Sequence, residues 1–163
     1  MHIEPLDHRE PAVAGRIHAV LLLAHAQEAR LLQVEHFLPM QRTPEDLQAS
    51  DEYFIAALRG DELLGCLSLG PDDEPGQISL ASLVVHPAHQ RQGIARALVA
   101  EALRRSAGFG ICVTTGAKNE PALALYRSFG FAEYRRGTLG AEALEVVKLR
   151  RPAAAAHATT DAL

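Results

Sequence analysis

Residues 77–105 constrain the fold of this chain more than any other part. Gln77 to Val85 is apolar on both alternating faces, as expected of a central strand covered on two sides. The run Val84-Val85-His86-Pro87-Ala88-His89-Gln90-Arg91-Gln92-Gly93-Ile94-Ala95 then leads through a basic loop into a helix with Ile94, Leu98 and Ala102 on one stripe. The first N–H groups of such a helix lack intrahelical partners, and the aligned peptide dipoles add roughly half a positive charge there. That terminus suits a phosphate group. Gln90 to Ala95 fits Q-x-x-G-x-A, in which Gly93 allows phosphate oxygens close to the backbone. A glycine at a strand-to-helix turn also serves simply as a turn residue.

The rest of the chain reads as one mixed α/β domain over residues 1–150. Apolar residues Ile17, Val20, Leu21, Ala24 and Leu31 recur at helical spacing after Pro11, which predicts an amphipathic helix reaching Gln33. Thr43-Pro44-Glu45-Asp46 has the cap hydroxyl, first-turn proline and acids that open a short helix ending near Ser50. Tyr53–Arg59 and Leu63–Leu69 flank Gly60-Asp61 as a hairpin, and a Pro/Gly/Asp-rich turn follows at Gly70–Gly76. After Gly108 and Gly110 come a strand at Ile111–Thr115, a helix at Asn119–Phe129, and a strand pair at Ala132–Arg136 and Glu142–Leu149. The expected order is thus a helix-rich start, antiparallel strands, a crossover helix, a strand, a second helix and two strands. Residues 151–163 form an Ala-rich tail with little to pack and are expected to be disordered.

Composition excludes several classes. A chain of 163 residues buries about two thirds of its unfolded surface without staples. Cys66 and Cys112 stand far apart with no clustered His, so neither a disulfide nor a metal site is expected, and a reducing cytoplasm fits. Ala19–Ala24 is too short to span a bilayer, and neither a signal peptide nor a membrane partner is expected. Sixteen Lys and Arg against twenty Asp and Glu give a net charge of -4, which disfavours a nucleic-acid partner.

A second motif sharpens the reading. Asn119, Ala122, Leu125, Tyr126, Gly130 and Phe131 spell N-x-x-A-x-x-L-Y-x-x-x-G-F. With the glycine loop, it makes the chain resemble the GNAT superfamily of acetyl-coenzyme A dependent N-acetyltransferases over roughly Tyr53 to Leu149. The resemblance implies a twisted, mostly antiparallel sheet flanked by helices, with a central parallel strand pair that splays apart around acetyl-CoA. It implies that backbone groups of Leu83, Val84 and Val85 meet the pantetheine arm and thioester. The pyrophosphate is expected on the N–H groups of Gln90, Arg91, Gln92, Gly93, Ile94, Ala95 and Arg96. Asn119 is expected to reach the cofactor arm, and the family also allows homodimers through the last strands.

Elementary chemistry supplies the same roles. Amine attack on a thioester builds negative charge on the carbonyl oxygen, which a free strand N–H near Val84 or Val85 would stabilise. The departing thiolate gains from a phenolic proton, and Tyr126 is the natural donor. Packing alone also explains Tyr126, because Ala122, Leu125, Tyr126 and Phe129 fall on one helical stripe. Asn119, before Glu120-Pro121, is equally suited to an N-cap. Relatives often carry an acid on the strand before the loop, whereas here that strand offers only Gln77, Ser79 and Ser82. A water relay through Ser82, His86, Glu35 or His36 is the expected substitute. Glu35, His36 and Phe37, between the first two helices, and Ser82 are the candidate acceptor contacts. The reading is direct acetyl transfer to a primary amine on a small molecule or peptide. The alternatives are a non-catalytic acyl-CoA sensor and a nucleotide-binding α/β protein, the latter lacking both G-x-x-x-x-G-K-[ST] and G-x-G-x-x-G.

Overall fold

The structure, a computed structural model, describes residues 1–153. Among them, strands β1 (His2–Leu6), β2 (Tyr53–Arg59), β3 (Glu62–Pro71), β4 (Gln77–Val85), β5 (Gly110–Gly116), β6 (Ala132–Leu139) and β7 (Leu144–Arg151) form one sheet. Its order is β1-β2-β3-β4-β5-β7-β6. Helices α1 (Pro11–Leu32), α2 (Pro44–Ala49), α3 (Ile94–Arg105) and α4 (Glu120–Ser128) flank it. Each neighbouring strand pair is antiparallel except β4 and β5, which run parallel. No helix of the described residues is long and apolar enough to cross a membrane.

The two-residue period of β2 divides the core. Phe54, Ala56 and Leu58 pack with α1 and α2 on one face, among Ile17, Leu21 and Leu47. Ile55 and Ala57 pack on the other, with Leu98 and Val99 of α3 and Leu123 and Tyr126 of α4. Burial on both faces explains why β2 and β3 read as continuous apolar runs. The α2 start is the expected capping box: Asp46 N–H donates to Thr43 Oγ1 at 3.1 Å, and Thr43 N–H donates to Asp46 Oδ2 at 2.8 Å.

Gly65 fixes how closely β3 lies against β4. A Cβ there would sit 2.6 Å from the Val84 carbonyl oxygen and 3.3 Å from Ile94 Cγ2, the first residue of α3. A backbone oxygen cannot rotate aside, so Gly65→Ala must push β4 and the start of α3 away. The expected result is a loss of about 1–3 kcal/mol of stability in urea unfolding. Weaker acetyl-CoA binding should accompany it; an unchanged midpoint and unchanged affinity would refute this close-packing argument.

Two expectations need correction. The helix-rich start is preceded by β1, an edge strand pairing Ile3 with Ala57. Five residues give too little alternation to read, and Pro5 is tolerated because an edge strand has one free side. The last strand is also displaced by two residues, to Leu144–Arg151 from the expected Glu142–Leu149, which leaves Glu142 in the preceding turn. Arg151 is still in β7, opposite Ile111, and its Nε donates to the Phe129 carbonyl at 2.9 Å. Residues 154–163 of the expected tail lie outside the described residues.

Candidate active site

The sheet opens at its parallel pair. β4 and β5 pair only over Gln77–Leu80 and Gly110–Val113. Hydrogen bonds to carboxylates secure this closed end: Lys148 Nζ donates to Asp72 Oδ1 at 2.9 Å in an ion pair, and the Tyr134 hydroxyl donates to Glu74 Oε1 at 3.2 Å. Beyond it the β3–β4 register jumps from Leu69–Leu80 to Ser68–Ser82, leaving Ala81 as an unpaired bulge residue. A bulge re-aims the strand that carries it. A cavity of about 340 Å³ occupies the resulting wedge, lined by Ala81, Ser82 and Leu83 on one side and Thr114, Thr115 and Gly116 on the other.

Register decides which backbone groups enter the wedge. His86 N–H donates to the Leu64 carbonyl at 2.8 Å. In an antiparallel ladder alternate residues face the same neighbour, so Val84 and Ser82 direct their N–H and C=O groups at β3. Leu83 and Val85 therefore aim theirs at the open edge. Of the expected triplet, Val84 has its amide committed to β3 and its side chain in the α1 face of the core.

The N-terminus of α3 borders the same edge. Gly93 is its cap residue at φ 78°, with no side-chain cap, and Arg91 is also left-handed at φ 61°. The first helical bond runs from Ala97 N–H to the Gly93 carbonyl at 3.0 Å, so the amides of Ile94, Ala95 and Arg96 have no intrahelical partner. Amides without intrahelical partners behind a glycine turn fit a pyrophosphate. The side chains are held elsewhere: Gln90 pairs with Gln27 of α1 at 3.2 Å, and Arg59 donates to Gln92 at 3.4 Å. Arg96 donates to Ser128 at 3.0 Å and lies 5.1 Å from the Phe129 ring centroid. Backbone amides are thus what this turn presents, with the exposed Arg91 as its one side-chain cation not engaged elsewhere among the described residues.

Tyr126 and Asn119 reach the cavity from α4 and its cap. Tyr126 is 5% exposed, and burial, reinforced by the Glu28 carboxylate, pushes its phenol well above the ordinary tyrosine value. It stays protonated. Asn119 does serve as the N-cap, with Oδ1 accepting from Ala122 N–H at 3.2 Å, while Nδ2 donates to Glu28 Oε1 at 3.3 Å. Glu28 and His25, both on α1, were not singled out in the sequence, where they look like ordinary members of an amphipathic helix. Their one-turn spacing could have placed them on a common face, but nothing local says that this face meets a gap in the sheet. Burial raises the Glu28 carboxyl, partly countered by the Asn119 hydrogen bond. Burial lowers the His25 imidazole to about 4, and its Nδ1 has no hydrogen-bond partner among the described residues.

The cavity mouth joins the α1–α2 loop to the β6–β7 turn. Glu142 accepts from the N–H groups of Glu35 at 3.1 Å and His36 at 2.8 Å, which pulls its own carboxyl below the ordinary value. His36, Phe37 and Ser82 line the cavity, as does Glu142, which sequence reasoning missed. Glu35 and His86 are not among the lining residues; the His86 Nδ1 instead accepts from Ala88 N–H at 3.1 Å. Ser82 shares a 2.7 Å hydroxyl contact with buried Ser68. The two cysteines lie outside the lining, and burial pushes their thiols up to about 12 for Cys66 and about 11 for Cys112.

The sheet is thus divided at its parallel pair, with a helix N-terminus at the edge of the gap and a neutral phenol in its wall. The chain belongs to the acetyltransferase (GNAT) family, whose model matches residues 21–131. A relative from Bacillus subtilis, UPF0157 protein YqkA, is 32% identical over 130 residues, covering 79% of this chain but only 37% of that protein. The N-alpha-acetyltransferase RimI of Mycobacterium tuberculosis is 29% identical over 129 residues, 75% of this chain and 79% of that one. Among solved structures, the ribosomal-protein-S18-alanine N-acetyltransferase of Escherichia coli superposes with a TM-score of 0.75 at 18% identity, covering 96% of this chain and 97% of that one. YncA of Salmonella typhimurium, solved with acetyl-CoA, superposes at 0.70 and 18% identity over 100% of this chain and 99% of that one. Acetyl-CoA fits as the cosubstrate.

Proposed function

We propose that this protein transfers the acetyl group of acetyl-CoA directly to the nitrogen of a primary amine that arrives as a cation. The observation that carries the reading is one continuous cavity with open strand edges, a buried phenol and the carboxylates of Glu28 and Glu142 in its walls. Bound acetyl-CoA supplies an activated acyl carbon. The amides from Gln90 through Arg96 hold its diphosphate, with Gly93 giving access, and Asn119 flanks its arm. Leu83 and Val85 orient the thioester from the open edge of β4, Val84 supports them from behind, and one of their N–H groups receives the charge that grows on the carbonyl oxygen. Tyr126 gives its proton to the departing sulfur. Thiols held up to about 11 and about 12 and lying outside the cavity are poor acyl carriers, which supports attack without an acyl-enzyme.

The acceptor end combines carboxylates with His36, Phe37, Leu38 and Leu139. A primary amine on a partly apolar body matches that lining. The relative named an N-alpha-acetyltransferase supports placing peptide α-amines first among acceptors, with small-molecule amines beside them. Two buried, unpaired cysteines suit a reducing cytoplasm.

The test is thiol release from acetyl-CoA in the presence of peptides with free α-amines, amino acids and polyamines. Amine-dependent release with an acetylated product of matching mass is expected. Binding of acetyl-CoA without turnover on any of these amines would overturn the reading in favour of an acyl-CoA sensor.

A further inference from the structure

We infer that Glu28 is the general base that takes the proton from the acceptor amine, and that Asn119 is its positioning residue. The inference rests on the proposed N-acetyl transfer. Glu28 comes from the α1 face of the sheet and Tyr126 from the α4 face. In a closed sheet the strands would separate them. Here the gap beyond Leu80 and Val113 lets both line one cavity, together with Ser82 and Leu83 of β4. The base and the acid thus stand on opposite sides of the edge that orients the thioester. Asn119 ties the arrangement together, because its Oδ1 caps α4 through Ala122 N–H at 3.2 Å and its Nδ2 holds Glu28 Oε1 at 3.3 Å.

The other titratable and charged groups lining this cavity are His25, His36, Arg42, Tyr126 and Glu142. None has the properties of the base. His25, one turn before Glu28 on α1, is a weak base with its imidazole lowered to about 4. Glu142 is stabilised as an anion by two backbone N–H groups, which reduces its proton affinity. Arg42 is a cation paired with Glu52 at 2.8 Å, and Tyr126 is protonated. The His36 side chain is 78% exposed at the mouth. Glu28 is half-buried in the cavity wall, and desolvation there raises its proton affinity, which narrows the gap to an alkyl ammonium near the lysine value of about 10.4.

The step balances as follows. The ammonium gives one proton to Glu28, which passes it to solvent. The freed lone pair forms the N–C bond as the C–S bond breaks, and sulfur takes the Tyr126 proton. The nitrogen sheds its second proton as the amide forms, and that proton restores Tyr126. One proton is released per turnover.

The experiment measures kcat and kcat/KM against pH with an amine that the wild type acetylates, and acetyl-CoA affinity by calorimetry. Glu28→Gln is expected to lower kcat by about 10²- to 10⁴-fold, with acetyl-CoA affinity kept and the acidic limb of the profile abolished. Asn119→Asp keeps a cap oxygen but removes the Nδ2 donor and adds a negative charge, so the acidic limb must move to higher pH. A Glu28→Gln protein with wild-type kcat and an intact acidic limb overturns the inference and leaves N-acetyl transfer standing. If Glu28→Gln does not fold, Asn119→Asp decides alone, and an unmoved limb overturns the inference. A wild type that binds acetyl-CoA and acetylates no amine overturns both readings at once.

Discussion

Tyr126→Phe lowers turnover by about 10²- to 10⁴-fold, or about 3–5 kcal/mol of transition-state stabilisation, and leaves acetyl-CoA affinity unchanged. The substitution removes one oxygen from a side chain that is 5% exposed and packed against Phe131 at a ring-centroid distance of 5.6 Å. The ring stays, so its packing stays. What disappears is the proton available to the leaving sulfur. Because burial and the nearby Glu28 carboxylate raise the phenol above its ordinary value, Tyr126 keeps that proton across the working range. The wild-type profile therefore shows no loss of activity from this group at about pH 10, where a solvated tyrosine titrates. Steady-state kinetics and calorimetry on the variant check both halves of the prediction. Equal turnover would reduce Tyr126 to a core aromatic.

The second large effect is acid lability centred on His25. Its imidazole is 8% exposed and lowered to about 4, first by burial and further by Arg42, with a backbone bond to Pro39 only partly offsetting them. Unfolding exposes it to water at the ordinary value of about 6.5. Between those values the unfolded chain binds the proton and the folded chain does not, so stability falls as pH falls. The contribution is fully present above pH 6.5 and is lost toward pH 4, amounting to about 3 kcal/mol. Glu28 acts in the opposite direction, since its raised carboxyl binds a proton more readily in the folded state. Carboxylates held below their ordinary values, such as Asp72 at about 2, add their own losses only at still lower pH. Urea unfolding at a series of pH values from 7 to 5 should show the slope, and His25→Leu should flatten it. Identical slopes in the two proteins would mean that the imidazole is not held neutral by the fold.

Much of the fold was legible in the sequence because each signal was local. β2 and β4 begin and end at the expected residues, since Gly60 and the Pro/Gly-rich turn before Gln77 bound apolar runs that pack on both faces. The α2 capping box involves only Thr43 and Asp46, three positions apart. The helix start at Ile94 follows from Gly93, whose left-handed φ few other residues adopt. β1 escaped because its partner, β2, lies some fifty positions away in the sequence. Arg150 and Arg151 read as a polar end to the domain, yet β5 supplies Cys112 and Ile111 to pair with them.

The site was legible only where motif and backbone coincide. The sequence by itself determined the glycine-opened helix, the tyrosine stripe of α4 and the asparagine cap, because these depend on neighbours within about two turns. Tertiary structure alone decided that β4 and β5 part after four paired residues, that the amides of Leu83 and Val85 face the gap while that of Val84 faces β3, and that Glu142 anchors the loop at Glu35 and His36. It also decided that Glu28 meets Asn119 across 91 positions of chain. The physical reason is that periodicity states which side of an element is covered, whereas a gap between two strands is set by registers that no single segment contains.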